Sequence, residues 1–198
     1  MFSTRTTVAI ALPAALIVAL TACAGGGGTG SGGSGGSASP TQCLTGKTWS
    51  LDVTDAATQL GSQLSSSGLN VISSQGSGDE TFAFDADGSV SLAVHLTYTI
   101  SVALSSGHTL TIVQTHTGNP AGEWAFGDPG VVTFNGWNND GYSIQNTVQI
   151  DGTASDTPVT VPSDTFGDST PMTITCTATD LTTHIDPSPF TNHWTVAG

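Results

Sequence analysis

The clearest pattern in the chain is the run "VSLAVHLTYTISVAL". Every even position from Val90 to Leu104 is apolar or aromatic, and the odd positions between them are small or polar. Strict alternation of this length predicts a half-buried β-strand. At about 3.3 Å per residue it spans nearly 50 Å, so it must bend or coil. A three-residue loop at Ser105–Gly107, with glycine in the left-handed position, sets Leu104 opposite His108. That register pairs Val102 with Leu110, Ile100 with Ile112, Tyr98 with Gln114 and Leu96 with His116. A two-residue loop would oppose Leu104 and Thr109 and mix the faces, a slip that a period of two makes costly. The same geometry applied to "ADG" (86–88) opposes Phe84 to Val90 and Phe82 to Leu92. Applied to "NDG" (139–141) it opposes Val132 to Val148 and Phe134 to Asn146.

Further strands are expected around 47–53, 123–127, 172–178, 181–185 and 192–196, where Thr, Val, Ile and aromatics concentrate. One segment has a different period. In "VTDAATQLGSQL", Val53, Ala56, Ala57, Leu60 and Leu64 form a helical stripe, with Thr54 or Asp55 as its start, Gly68 as its stop and Gly61 as a weak point. Residues 151–171, with four aspartates and three prolines, predict a long exposed loop. The fold class expected is therefore all-β: an antiparallel up-and-down barrel or a sandwich of about nine strands, with one short helix after the first strand.

Charge narrows the partners. Beyond Arg5 the chain sets fifteen acidic residues against Lys47 alone. Neutralising phosphates requires Lys and Arg, so nucleic acid and anionic headgroups are excluded as electrostatic partners. A charge of this size also keeps a module soluble.

The amino-terminal region predicts export. Residues 1–7 carry the arginine, and residues 8–20 form a thirteen-residue apolar core, too short to span a bilayer comfortably. Leu20-Thr21-Ala22-Cys23 follows. This order resembles the lipobox of bacterial lipoproteins. The resemblance covers the first twenty-three residues and implies a signal peptide over 1–22 and a diacylglycerol on the Cys23 sulfur. An acyl group, such as palmitate, on the new amino terminus would give the second chain that stable anchoring needs. The protein is then a cell-membrane lipoprotein facing outside the cytoplasm. The alternative is an ordinary secretory signal with Cys23 near the cut. Residues 23–40 read as the lipidated cysteine and a Gly/Ser tether with a mean span of roughly 20–25 Å. Residues 41–198 read as a single β-rich domain. With Cys23 acylated, Cys43 and Cys176 remain as an even pair in an oxidising compartment, and a disulfide follows.

"GKTW" (46–49) opens the first strand and "HWTV" (193–196) closes the last. This is similar to lipocalin-like barrels, which open on Gly-x-Trp and join the two ends of the chain. Here the spacing has one extra residue and no arginine follows Trp194. The resemblance implies a domain that holds a small apolar ligand.

Candidate chemistry is sparse. The hairpin register puts Tyr98, Gln114 and His116 on the otherwise apolar face, either as oriented contacts of a ligand pocket or as a satisfied polar patch at a barrel mouth. His95 lies on the opposite face from His116, so the two share no metal. His108 sits at a hairpin tip, and neither His184 nor His193 has a cysteine or carboxylate at ligand spacing. "DADGS" (85–89) fails the EF-hand pattern and reads as a turn. Asp151, Asp156, Asp164 and Asp168 read as a solvated loop rather than a calcium site. No paired carboxylates and no G-x-S-x-G point to catalysis, so no catalytic residue, metal or cofactor is expected. The leading expectation is a lipid-anchored, non-enzymatic domain binding a small apolar ligand or an envelope component, in a dry cavity lined by Leu96, Ile100 and Ile112. The alternative is a structural or adhesive surface module that recognises protein or glycan through its loops. That module would have a filled interior and an exposed patch at Trp124 and Trp137.

Overall fold

The alternating run forms the strand around which everything else is arranged. A computed structural model describes residues 40–163 and 166–198. In chain order the elements are α1 (Pro40–Leu44), β1 (Lys47–Leu51), α2 (Val53–Ser66), β2 (Val71–Phe84), β3 (Ser89–Ala103), β4 (Thr109–Gly118) and β5 (Ala121–Phe126). They continue with β6 (Val131–Asn138), β7 (Ser143–Ile150), β8 (Thr153–Ala154), β9 (Met172–Cys176), β10 (Asp180–Ile185) and β11 (Thr191–Val196). Eight strands close antiparallel in the order β2-β1-β11-β10-β9-β6-β5-β3, with β3 returning to β2. The architecture is an up-and-down barrel, consistent with a lipocalin-like one.

β3 is longer than the barrel needs. Its first residues, Ser89–Ser91, face β5, while Val94–Ala103 face β4. The chain bends between the two at Asn119-Pro120, and the Pro120 carbonyl accepts the Leu92 N–H at 2.8 Å across the gap. β4 and β5 thus act as one bent strand. β6 and β7 behave the same way, β6 lying on β5 and β7 on β4. The outer halves β2, β3, β4, β7 and β8 project from one end of the barrel as a wing.

The expected registers at the first two turns are those of the structure: Phe84 opposes Val90, Tyr98 opposes Gln114 and Leu96 opposes His116. The third is corrected. Asn139–Gly141 does not close a hairpin, and Val132 and Phe134 do not face Val148 and Asn146. Phe134 pairs with Trp124, Val148 with Ile112 and Asn146 with Gln114. The local turn is real, with the Asn139 carbonyl accepting the Tyr142 N–H at 2.9 Å. The chain then resumes its direction because the bent β4–β5 strand already offers an edge to both halves. At this bend Gly118 adopts φ +134°, and a Cβ there would lie 2.6 Å from the Gly141 carbonyl oxygen.

Helix α2 begins one turn signal earlier than expected. Asp52 is its N-cap, accepting the Asp55 N–H at 2.9 Å. Its stripe of Ala56, Ala57, Leu60 and Leu64 is buried as expected. The helix lies on β2, a strand that its polar composition hid. The wing positions facing the helix are Ser74 and Gly76, because larger residues would not fit. A Cβ on Gly76 would meet Val53 Cγ1 at 2.5 Å, and one on Gly61 would meet Ser74 Cβ at 2.7 Å. Gly61 is therefore a contact point rather than a flaw. Ser74 Oγ adds a hydrogen bond to the Ala57 carbonyl at 2.6 Å.

The barrel interior is filled. Trp49, Phe82, Phe84, Phe134 and Trp194 are fully buried. Phe82 stands at the centre of the cluster, with ring centroids 4.4 Å from Phe84 and 5.6 Å from Trp194. Eight strands leave an interior just wide enough for such side chains. Leu96, Ile100 and Ile112, expected to line a dry cavity, are buried in the hydrophobic core. Cys43 and Cys176 form a disulfide, with Cα atoms 6.1 Å apart, joining α1 to the end of β9. Such a bridge points to an oxidising, extracytoplasmic setting. Among the described residues no helix is long and apolar enough to cross a membrane. Cys23 and the signal and tether segments lie outside the described residues.

Candidate functional site at the barrel mouth

The alternation that builds β3 and β4 also delivers the candidate site. Tyr98 and Gln114 are directly opposed, and His116 lies one inner position further along β4, beside Leu96. The Tyr98 and His116 rings meet edge to face at 5.7 Å. All three line a cavity of about 50 Å³ at the end of the barrel from which the wing projects. At roughly 10–15 Å³ per water, that is room for about four waters. It is far below the several hundred Å³ of a drug-sized pocket.

Other segments complete the wall. Leu51, Ala56 and Leu60 come from the end of β1 and from α2, Glu80 from β2, Tyr142 from the β6–β7 bend, Phe166 from the long loop, and Phe190 and Asn192 from the start of β11. Glu80 was within reach of the sequence: extending the Phe82–Leu92 register by two residues places it opposite Val94, on the inner face. Tyr142, Phe166 and Phe190 carry no such local signal.

The polar groups are only partly satisfied. Tyr142 Oη lies 3.3 Å from His116 Nδ1. Gln114 Nε2 and His116 Nε2 are buried and have no hydrogen-bond partner among the described residues. Gln114 is 1% exposed and His116 7%. Burial pushes the His116 imidazole down to about 4, so it is neutral at ordinary pH. Buried polar nitrogens without partners are costly.

The expected solvated loop over 151–171 is only half that. Phe166 packs on Phe82, Phe134 and Trp137, with centroid distances of 5.6, 6.0 and 5.7 Å. Asp168 Oδ1 accepts the Trp137 N–H at 2.6 Å and pins the loop to β6. Asp151 holds the Thr109 N–H at 2.9 Å and pairs with His108. Asp164 lies outside the described residues. Neither Trp137, buried against Phe134, nor Trp124, set edge-on to Phe84 and Phe126, offers the exposed patch of the adhesive alternative.

No protein-family model, curated protein or solved structure matches the chain. Among the described residues no group of three or more His, Cys, Asp and Glu side chains is placed to hold a metal ion. His95 faces outward opposite Thr117, away from His116. His184 is taken up by the Phe190 carbonyl at 2.8 Å and Asp186 at 3.1 Å. Asp87 accepts both the N–H and the hydroxyl of Ser89, so "DADGS" is a turn. Among the described residues the mouth brings together the Gln114 amide, a neutral imidazole, aromatic walls and one acidic side chain.

Proposed function

We propose that the chain is a lipid-anchored, exported lipoprotein whose barrel captures a small ligand, or the small head of an envelope component, in the mouth cavity. The observation that carries this reading is that Tyr98, Gln114 and His116 line the mouth cavity together, with the buried Nε2 atoms of Gln114 and His116 lacking hydrogen-bond partners among the described residues. A polar patch kept for structure alone would be expected to satisfy its own donors. Tyr98, Gln114 and His116 are the binding residues, and no chemistry on the ligand is invoked. The anchor is Cys23, read from its lipobox.

One observation favours the alternative of a structural surface module, namely the aromatic filling of the barrel itself. Native mass spectrometry of the purified protein separates the two. A reproducible non-protein adduct supports capture, and a bare mass from every preparation favours the module. Cys23→Ser should release the protein into the medium. Its retention in the membrane fraction would refute the anchor.

A further inference from the structure

We propose that the outer edge of β7 is a docking site for an extended segment of another protein, one free of acidic residues, which joins the wing sheet through its main chain. This site is separate from the mouth cavity and does not depend on it.

The ladder of the wing fixes which backbone groups are at issue. The Leu104 N–H donates to the His108 carbonyl, so even residues of β3 and β4 bond to each other and odd residues of β4 turn towards β7. The Asp151 N–H, donating to the Thr109 carbonyl, agrees. On β7, Ser143, Gln145, Thr147 and Gln149 therefore bond to β4, while Ile144, Asn146, Val148 and Ile150 turn outwards. β8 pairs only with Gln149 and Ile150, and the Ser155 N–H takes the Val148 carbonyl at 2.9 Å. The main-chain N–H and C=O groups of Ile144 and Asn146 have no partner among the described residues.

The opposite side of the wing is protected. By the same ladder the outward residues of β2 are Ser74, Gly76, Gly78 and Glu80. Helix α2 lies against this stretch: Ser74 Oγ donates to the Ala57 carbonyl, and a Cβ on Gly76 would come within 2.6 Å of the Val53 carbonyl oxygen. Gly78 at φ +91° and a register shift between Val71 and Ser73 interrupt the strand, and Asp79 and Glu80 add charge. A covering helix, an irregular strand and charges are the devices that keep a sheet edge from pairing. β7 has none of them. "SIQNTV" (143–148) holds no charge, proline or glycine, and its ladder on β4 runs without a register shift. Gln145, Asn146 and Thr147 are exposed. Such an edge is what strand addition uses.

Charge selects the occupant. The chain sets fifteen acids against two cations, and its sole lysine, Lys47, is held by the Ala178 carbonyl at 2.7 Å. The edge itself is neutral, with exposed Asp140 in the turn before it and exposed Asp156 beyond β8. An acidic segment is repelled there, and one flanked by lysine or arginine is drawn in. A second copy fits less well, since it brings the same negative charge and its own β8 on the same edge.

The test uses the full-length protein, purified in detergent, and a blocked heptapeptide of alternating valine and threonine with a lysine at each end. In an NMR titration the Ile144 and Asn146 amide signals should shift saturably, with a Kd of roughly millimolar order. Hydrogen exchange at those two amides should slow at least about tenfold at saturation. The same peptide with glutamate at each end should bind at least about fivefold more weakly at low salt. A copy N-methylated along its backbone cannot form the ladder and should not bind. Asn146→Pro removes an outward N–H that no strand of the protein uses, and should weaken the lysine peptide at least about tenfold. Should that variant fail to fold, the N-methylated peptide on the wild-type protein decides.

Equal binding of the N-methylated peptide, or shifts confined to residues away from β7, would overturn the proposal. Equal affinity for the glutamate peptide would overturn the choice of occupant. Self-association that protects Ile144 and Asn146 without any peptide would make the occupant a second copy, and the proposal fails. No shift up to about 10 mM peptide removes the site altogether and leaves ligand capture at the mouth untouched.

Discussion

His116 shows how one position carries both stability and recognition. Its imidazole is pushed down to about 4 by burial, against 6.5 for an exposed histidine. Between those values the unfolded chain binds the proton and the folded chain does not, so stability falls as pH drops from about 6.5 to 4. The loss reaches roughly 3 kcal/mol at most. Denaturation midpoints at pH 7 and 4.5 should therefore differ less in His116→Leu than in the wild-type protein. Asp87 and Asp151 act in a lower window. Each carboxyl is held below the ordinary carboxylate range, Asp87 by hydrogen bonds from Ser89 and Asp151 first by the Thr109 N–H and then by His108. Their contribution is present above about 3.8 and is lost as pH falls through their folded values. Gly76 is a second single-residue determinant. Its φ is not unusual, so only space is at issue. Gly76→Val should push α2 off the wing and destabilise by roughly 1–3 kcal/mol in chemical denaturation.

At the scale of elements, legibility followed locality. The β3–β4 hairpin could be read because strict alternation meets a turn whose Gly107 adopts φ +85°, and one register satisfies both. The site trio came with it, since Tyr98, Gln114 and His116 are fixed by that register alone. β2 was hidden because its positions facing the helix are Ser74 and Gly76, small enough to admit a helix that local pattern does not see. The Asn139–Gly141 turn misled because turn residues report a local bend, not which strand the chain meets next. Asp151 makes a testable element-level link. It ties the tip of the β7–β8 turn to the start of β4 through Thr109 and His108. Asp151→Ala should speed hydrogen exchange at Thr109 and through β8 while leaving barrel amides protected.

For the whole molecule, the main long-range tie is the cystine. Cys43 and Cys176 are 133 residues apart in sequence, so the bridge constrains nearly the entire domain in its unfolded state. The chain-entropy relation gives about 4–5 kcal/mol for a loop of that length. Replacing both cysteines by serine should lower the unfolding free energy by about that amount, measured by urea denaturation without reductant. The pairing could be read once Cys23 was assigned to lipid. The closed barrel could be read only as one of two all-β options, because closure depends on β2 meeting both β1 and β3.

The fifteen-residue β3 is shared property: β2 holds it along its length, β5 grips its first residues, and β4 takes the rest. Barrel and wing are thus threaded on a common cord, and neither can unravel while the other stays whole. Tryptophan fluorescence, which watches the barrel, and the Tyr98 and His116 NMR signals, which watch the wing, should vanish at one denaturant concentration. Proteases would then meet no half-melted form to cut.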